Sequence, residues 1–176
     1  MKKNEALTGQ YLAALSMMRG AIESCPDELW DASVGRHPFW LIAYHGLYYT
    51  DLYLNQNETT FAPPEFGRPD EHYMEKRPRP PHERIEIGEP YSKEQLLGYA
   101  DHCRQRIISI VSAETAETLA AAAEFSWIPF SRLELHLYNM RHLQHHVAQL
   151  SLELKFQTGA GVDWIGVADD KDSQGG

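Results

Sequence analysis

Along most of this chain apolar positions recur at steps of three and four residues, the spacing of one face of an α-helix. Between about Asn4 and Ser24, the residues Leu7, Tyr11, Ala14, Leu15, Met18 and Ile22 build one stripe. Cys25-Pro26 ends it, because the residue before a proline avoids the α region. A second helix is predicted from about Pro38 to Asn55, with Pro38 at its first position. Leu41, Ile42, His45, Tyr48, Tyr49 and Leu52 share its inward face. Ser92-Lys93-Glu94-Gln95 is a capping box that opens a third helix, whose stripe is Leu96, Ala100, Cys103, Ile107 and Ile110, ending near Val111. Ser131-Arg132-Leu133-Glu134 is another, opening a fourth helix that runs to about Gln157. Its stripe reads Leu133, Leu137, Met140, Leu143, Val147, Leu150 or Ser151, and Leu154.

The pattern breaks between residues 56 and 91, where Pro63-Pro64, Pro69, Pro78, Pro80-Pro81 and Pro90 punctuate charged sequence. A connection this long is either functional or disordered, and it is expected to lie over one end of the helices and to border the metal pocket that the histidines suggest. The alanine-rich passage 113–123 is expected to be helical in part. No convincing period-two strand appears; Glu83 to Gly88 is at most a short extended piece. The fold class is therefore all-α, a four-helix bundle with a long proline-rich connection between its second and third helices. One domain is expected over residues 1–160, followed by a C-terminal segment, 161–176, whose polar tail from Asp169 to Gly176 is expected to be flexible.

A formal net charge of −9 over 176 residues argues against nucleic-acid or anionic-membrane partners, which need a basic surface. No basic n-region precedes an apolar run at the start, and the longest apolar stretch, around residues 39–50, is too short to span a bilayer. Two cysteines, Cys25 and Cys103, are too few for a disulfide framework and read as small core hydrophobes. A soluble, cytoplasmic protein is expected.

Candidate chemistry lies in the histidines. His142 and His146 stand four apart, so on a helix they lie one above the other and form half of a metal site. His45 sits alone in the apolar stretch Phe39 to Tyr49, where a polar ring is costly without a partner. A bundle brings facing side chains of its second and fourth helices together, and neutral imidazoles suit zinc, nickel, copper and iron. A core histidine satisfied by a tyrosine or a carbonyl is the plainer reading of His45. His136, two turns before the pair, competes for the ligand role and equally suits a hydrogen-bonded core position. His145 points to the other side. Asn139, Tyr48 and Tyr49 are candidates for the pocket or for support of the ligands, and Trp40, Tyr44 and Tyr48 for the walls of an apolar pocket. Glycine-rich phosphate loops, G-x-S-x-G elbows and paired Glu-x-x-His motifs are missing.

The segment His142-Leu143-Gln144-His145-His146-Val147-Ala148-Gln149-Leu150 resembles the double-histidine signature of the DinB/YfiT-like superfamily, and a single histidine midway along the second helix, here His45, completes that pattern. The resemblance covers residues 5–157. It implies an up-down-down-up bundle, often a homodimer, with a divalent zinc or nickel ion on His45, His142 and His146. It also implies metal-dependent hydrolase activity or thiol S-transfer with bacillithiol, mycothiol or glutathione. Val147-Ala148 stands where many relatives have Arg-Gly, which leaves the ligands untouched. The expected function is a metal-dependent enzyme acting on a small molecule, with a low-molecular-weight thiol as one candidate substrate. The alternative is a non-enzymatic, stress-related bundle with a structural or vestigial metal site.

Overall fold

The computed structural model describes residues 3–78 and 80–168, and these are mostly helical. Four long helices carry the core: α1 (Lys3–Ser24), α3 (Phe39–Leu52), α4 (Lys93–Ala113) and α6 (Arg132–Thr158), with two short ones, α2 (Asp27–Trp30) and α5 (Ala116–Ala120), between them. Both α1 and α3 pack against α4 and α6. No helix among the described residues is long and apolar enough to cross a membrane. The polar tail from Asp169 onward lies outside the described residues.

The helix ends follow from local chemistry. Ser92 Oγ accepts the Gln95 N–H at 3.2 Å while Gln95 Oε1 accepts the Ser92 N–H at 2.8 Å. Ser131 and Glu134 repeat the exchange at the start of α6, at 3.3 and 2.8 Å. Gly159, at φ +85°, closes α6 in the left-handed conformation that glycine adopts without strain.

The stripe read for α6 shifts in its first three turns. Leu137 is exposed, and the buried positions there are Arg132, Leu135, His136 and Asn139. Polar residues occupy the inward phase because each has a partner inside. Arg132 sends its guanidinium across to the end of α3, donating to the carbonyls of Tyr53 (3.2 Å), Leu54 (2.7 Å) and Asn55 (2.6 Å). Those carbonyls lie just beyond the last turn of α3, which stops at Leu52 rather than at the expected Asn55.

Pro38 also differs from expectation. It precedes α3 in an extended conformation and belongs to a two-residue hairpin, β1 (Ser33–Val34) with β2 (His37–Pro38), turned by Gly35 at φ +69°. A hairpin this short cannot display period-two alternation. Helix α3 itself is buried nearly all round, with twelve of its fourteen residues inside. Beside His45, Gly46 leaves room for Met18: a Cβ there would meet Met18 Cε at 2.8 Å and would stand 3.6 Å from His146 Cβ. The missing side chain lets α3 lie close to both α1 and α6.

Candidate metal centre

His45 from α3 and His142 and His146 from α6 converge on one point, their nearest ring nitrogens all within 4.8 Å of one another. His45 Nε2 is 3.0 Å from His142 Nε2, which is 3.2 Å from His146 Nε2. The hydrogen bonds on the far side of two rings decide what those nitrogens carry. His45 Nδ1 is 2.6 Å from the carbonyl oxygen of His72, which only accepts, so Nδ1 holds the proton and Nε2 is a bare lone pair. His146 Nδ1 donates to Gln149 Oε1 at 2.8 Å, which likewise leaves its Nε2 bare. His142 Nδ1 is buried and has no hydrogen-bond partner among the described residues.

Two bare nitrogens aimed at a third repel unless a cation or a shared proton stands between them. Three nitrogens at about 2.0–2.1 Å from one tetrahedral ion stand about 3.3 Å apart. The observed spacings suit such an ion, and the donor set suits zinc, nickel, copper or iron. Burial and the neighbouring imidazoles hold all three rings in the neutral, ligating form. His142 is lowered to about 3 and His146 to about 4 by burial first, then by nearby histidines, and His45 is pushed well below the usual 6.5 for the same reasons.

The DinB superfamily model matches residues 10–150, a span that holds all three histidines and ends on the Gln149-Leu150 pair. The chain belongs to the DinB superfamily. Searches of curated proteins and of solved structures returned no match.

In this DinB protein His136, His145 and Asn139 lie outside the three-nitrogen group. His136 has both nitrogens engaged, Nε2 with Glu114 Oε1 and Nδ1 with the Tyr11 hydroxyl, each at 3.1 Å, and so takes the core position rather than a ligand role. His145 is exposed, but it does not point away as expected: its ring lies edge-on to His146, 5.1 Å between centroids, and it lines the same open hollow as His142. Asn139 is buried. It donates to the Thr50 carbonyl at 3.0 Å and so ties α6 to α3 one turn before His142.

Tyr48 and Tyr49 line a cavity of about 820 Å³ between α3 and the segment that follows it, with Tyr53, Phe61, Tyr73 and Trp127 among the other walls. Tyr49 joins this chamber to the histidines, its ring centroid 4.8 Å from His45 and 5.2 Å from His142. Residues of the proline-rich connection line this chamber, among them Phe61, Asp70, His72, Tyr73, Arg77, Pro78 and Pro80-Pro81, whereas His45, His142 and His146 are not among its walls. Trp40 and Tyr44, expected as walls, are fully buried in the core instead. Trp40 donates to Asp31 at 2.9 Å, and Tyr44 packs against Tyr91 at 4.7 Å. His142 also lines a second, open hollow with Tyr138 and Arg141.

Three further residues bear on the histidine cluster without standing among the candidates that the sequence offers. Gln149 was visible in the signature and at i+3 from His146, which puts both on one face. Gly46 had no signal beyond its place beside His45. His72 acts through its backbone carbonyl, which any residue type would supply, so its identity carried no signal at all.

Proposed function

We propose that this DinB protein is a metal-dependent enzyme that binds one divalent transition-metal ion, zinc or nickel, on His45, His142 and His146. The observation that carries the reading is the meeting of three Nε2 atoms, two of them bare because their Nδ1 protons are committed elsewhere. Three protein ligands, without a fourth among the described residues, is the pattern of catalytic rather than structural sites. We take residues 1–160 as the domain and its four long helices as an up-down-down-up bundle, with 161–176 as a C-terminal segment.

A divalent ion held on three neutral imidazoles supplies Lewis acidity, lowering the pKa of a thiol or water that binds beside it. The chain supplies the surroundings. His72 and Gln149 hold two ligand rings in the required tautomer. The aromatic chamber beside Tyr49 offers about 820 Å³ for an apolar electrophile, a volume typical of small-molecule sites. Cys103 is buried in the core, and burial pushes its thiol well above the ordinary range, so it is a poor nucleophile. Cys25 is likewise buried and raised to about 11.

The reaction that fits best is addition of a low-molecular-weight thiol to an electrophile, with hydrolysis next. The same reading makes the protein a cytoplasmic homodimer without nucleic-acid or membrane partners. The net charge of −9 supports the exclusion, and the exposed Leu152 and Phe156, one turn apart on α6, offer a face for a second copy. The test is a panel of thiols and activated electrophiles run with metal-loaded, chelated and His142→Ala protein. Turnover with the loaded protein alone is the expected result. Turnover that survives chelation defeats the mechanism, and unfolding on chelation marks the site as structural.

A further inference from the structure

Glu71 is a carboxylate with 1% of its surface exposed, yet it belongs to the connection between α3 and α4 rather than to a helix of the core. Among the described residues, every hydrogen bond its carboxylate accepts comes from that connection. Oε1 takes the Arg68 Nε–H and the Gly88 N–H, each at 2.7 Å, and Oε2 takes the Tyr91 hydroxyl at 2.6 Å. Arg68 closes the ring by donating its own N–H to the Tyr91 hydroxyl at 2.8 Å. Tyr91 anchors the group to the core: it is buried, lies edge-on to Trp40 at 5.2 Å and receives the Trp30 Nε1–H on its carbonyl at 2.7 Å. Gly88 has to be glycine for this contact, since a Cβ would stand 2.8 Å from Arg68 Nε and 3.2 Å from Glu71 Oε1.

The backbone on either side of Glu71 is strained. Asp70 at φ +64° and Met74 at φ +70° are non-glycine residues in left-handed conformations, and they bracket the single turn Glu71–Tyr73. Such conformations persist only where the surroundings over-determine them, and they cluster at functional sites. What this turn presents is the carbonyl of His72, 2.6 Å from His45 Nδ1. The His72 ring lies flat on Tyr48, 3.9 Å between centroids and 7° from parallel, so the turn is seated on α3 as well.

We propose that Glu71 is a positioning residue for the metal centre: its clasp on Arg68, Gly88 and Tyr91 holds the strained turn so that the His72 carbonyl fixes His45 with Nε2 bare. The inference rests on the metal reading above. It concerns one tautomer on one ligand and involves no contact between Glu71 and the site. A partner that orients a ligating histidine is worth roughly ten- to a hundredfold in metal affinity.

The test uses Zn²⁺ and Co²⁺ with wild type, Glu71→Ala, Glu71→Gln and Gly88→Ala, beside Ile107→Ala as a core change far from the turn. Two readouts are needed: metal affinity by competition titration, and the His45 tautomer in metal-free protein by long-range ¹H–¹⁵N correlation. Wild type should show His45 protonated at Nδ1 alone. Glu71→Ala and Gly88→Ala should mix the tautomers and weaken metal binding about ten- to a hundredfold. Glu71→Gln, which can still accept at Oε1 and meet Tyr91 with its amide, should recover most of both. Ile107→Ala should lose stability and leave both readouts unchanged. An unmixed tautomer and unaltered affinity in Glu71→Ala and Gly88→Ala overturn the clasp, as does an equal change in Ile107→Ala. Wild type that takes up neither ion defeats the metal reading instead, while the tautomer still decides the clasp.

Discussion

Gln149 sits at the surface of α6, yet its Oε1 decides which nitrogen of His146 is free. Gln149→Ala should therefore weaken metal binding about ten- to a hundredfold while barely changing stability, measured by competition titration and urea unfolding. His145→Ala, one residue from the same ligand but exposed, should leave affinity unaltered. The depressed histidines also set the pH behaviour of the metal-free protein. His72 and His146 are lowered to about 4 and His142 to about 3, and His45 and His136 also lie below the usual 6.5, all chiefly through burial. Above pH 6.5 these rings are neutral in both states and contribute no slope. Below it the unfolded chain takes up protons that the folded protein refuses, so stability falls as pH drops toward the folded values. Each ring contributes up to about 1.4 kcal/mol per pH unit. Urea midpoints at pH 7, 6 and 5 should fall steeply; a flat series means the rings are not held neutral.

At the scale of elements, Arg132 joins α6 to the end of α3 and, through Nε, to Glu114 at 2.9 Å. Arg132→Ala leaves the half-buried Glu114 with only His136 and Thr118 and takes the donor from three carbonyls, and should cost about 3 kcal/mol in urea unfolding. Arg132→Lys keeps the charge without the planar fork and should recover only part. A loss below 1 kcal/mol for the alanine variant contradicts this account of the α3–α6 joint. The same residue marks where the sequence stopped being legible. The four long helices, both capping boxes and the three converging histidines could be read from periodicity, turn chemistry and the family signature. Hydrophobicity then chose Leu133, Leu137 and Met140 as the inward face of early α6, whereas the fold buries Arg132, His136 and Asn139. Their partners are the α3 carbonyls, Glu114 and Thr50, which are distant in sequence and unknown before the helices are packed. The hairpin at residues 33–38 was too short to leave a pattern. Trp40 and Tyr44 looked like pocket walls because α3 is apolar on every face, so periodicity could not tell core from cavity.

For the molecule as a whole, the connection between α3 and α4 is the piece that turns a helical scaffold into a site. It walls the aromatic chamber and supplies the His72 carbonyl. Excising residues 62–82 should leave helix content by circular dichroism nearly intact, because the long helices lie outside it, while metal affinity and turnover both fall. Unchanged affinity and turnover would reduce the segment to a linker. The central claim is that three histidines hold one ion, and metal content tests it most directly. Wild-type protein purified without a histidine tag should carry about one transition-metal ion per chain by elemental analysis, and His45→Ala purified alongside should carry none. Wild type without stoichiometric metal, or a His45→Ala variant that retains as much, would contradict it.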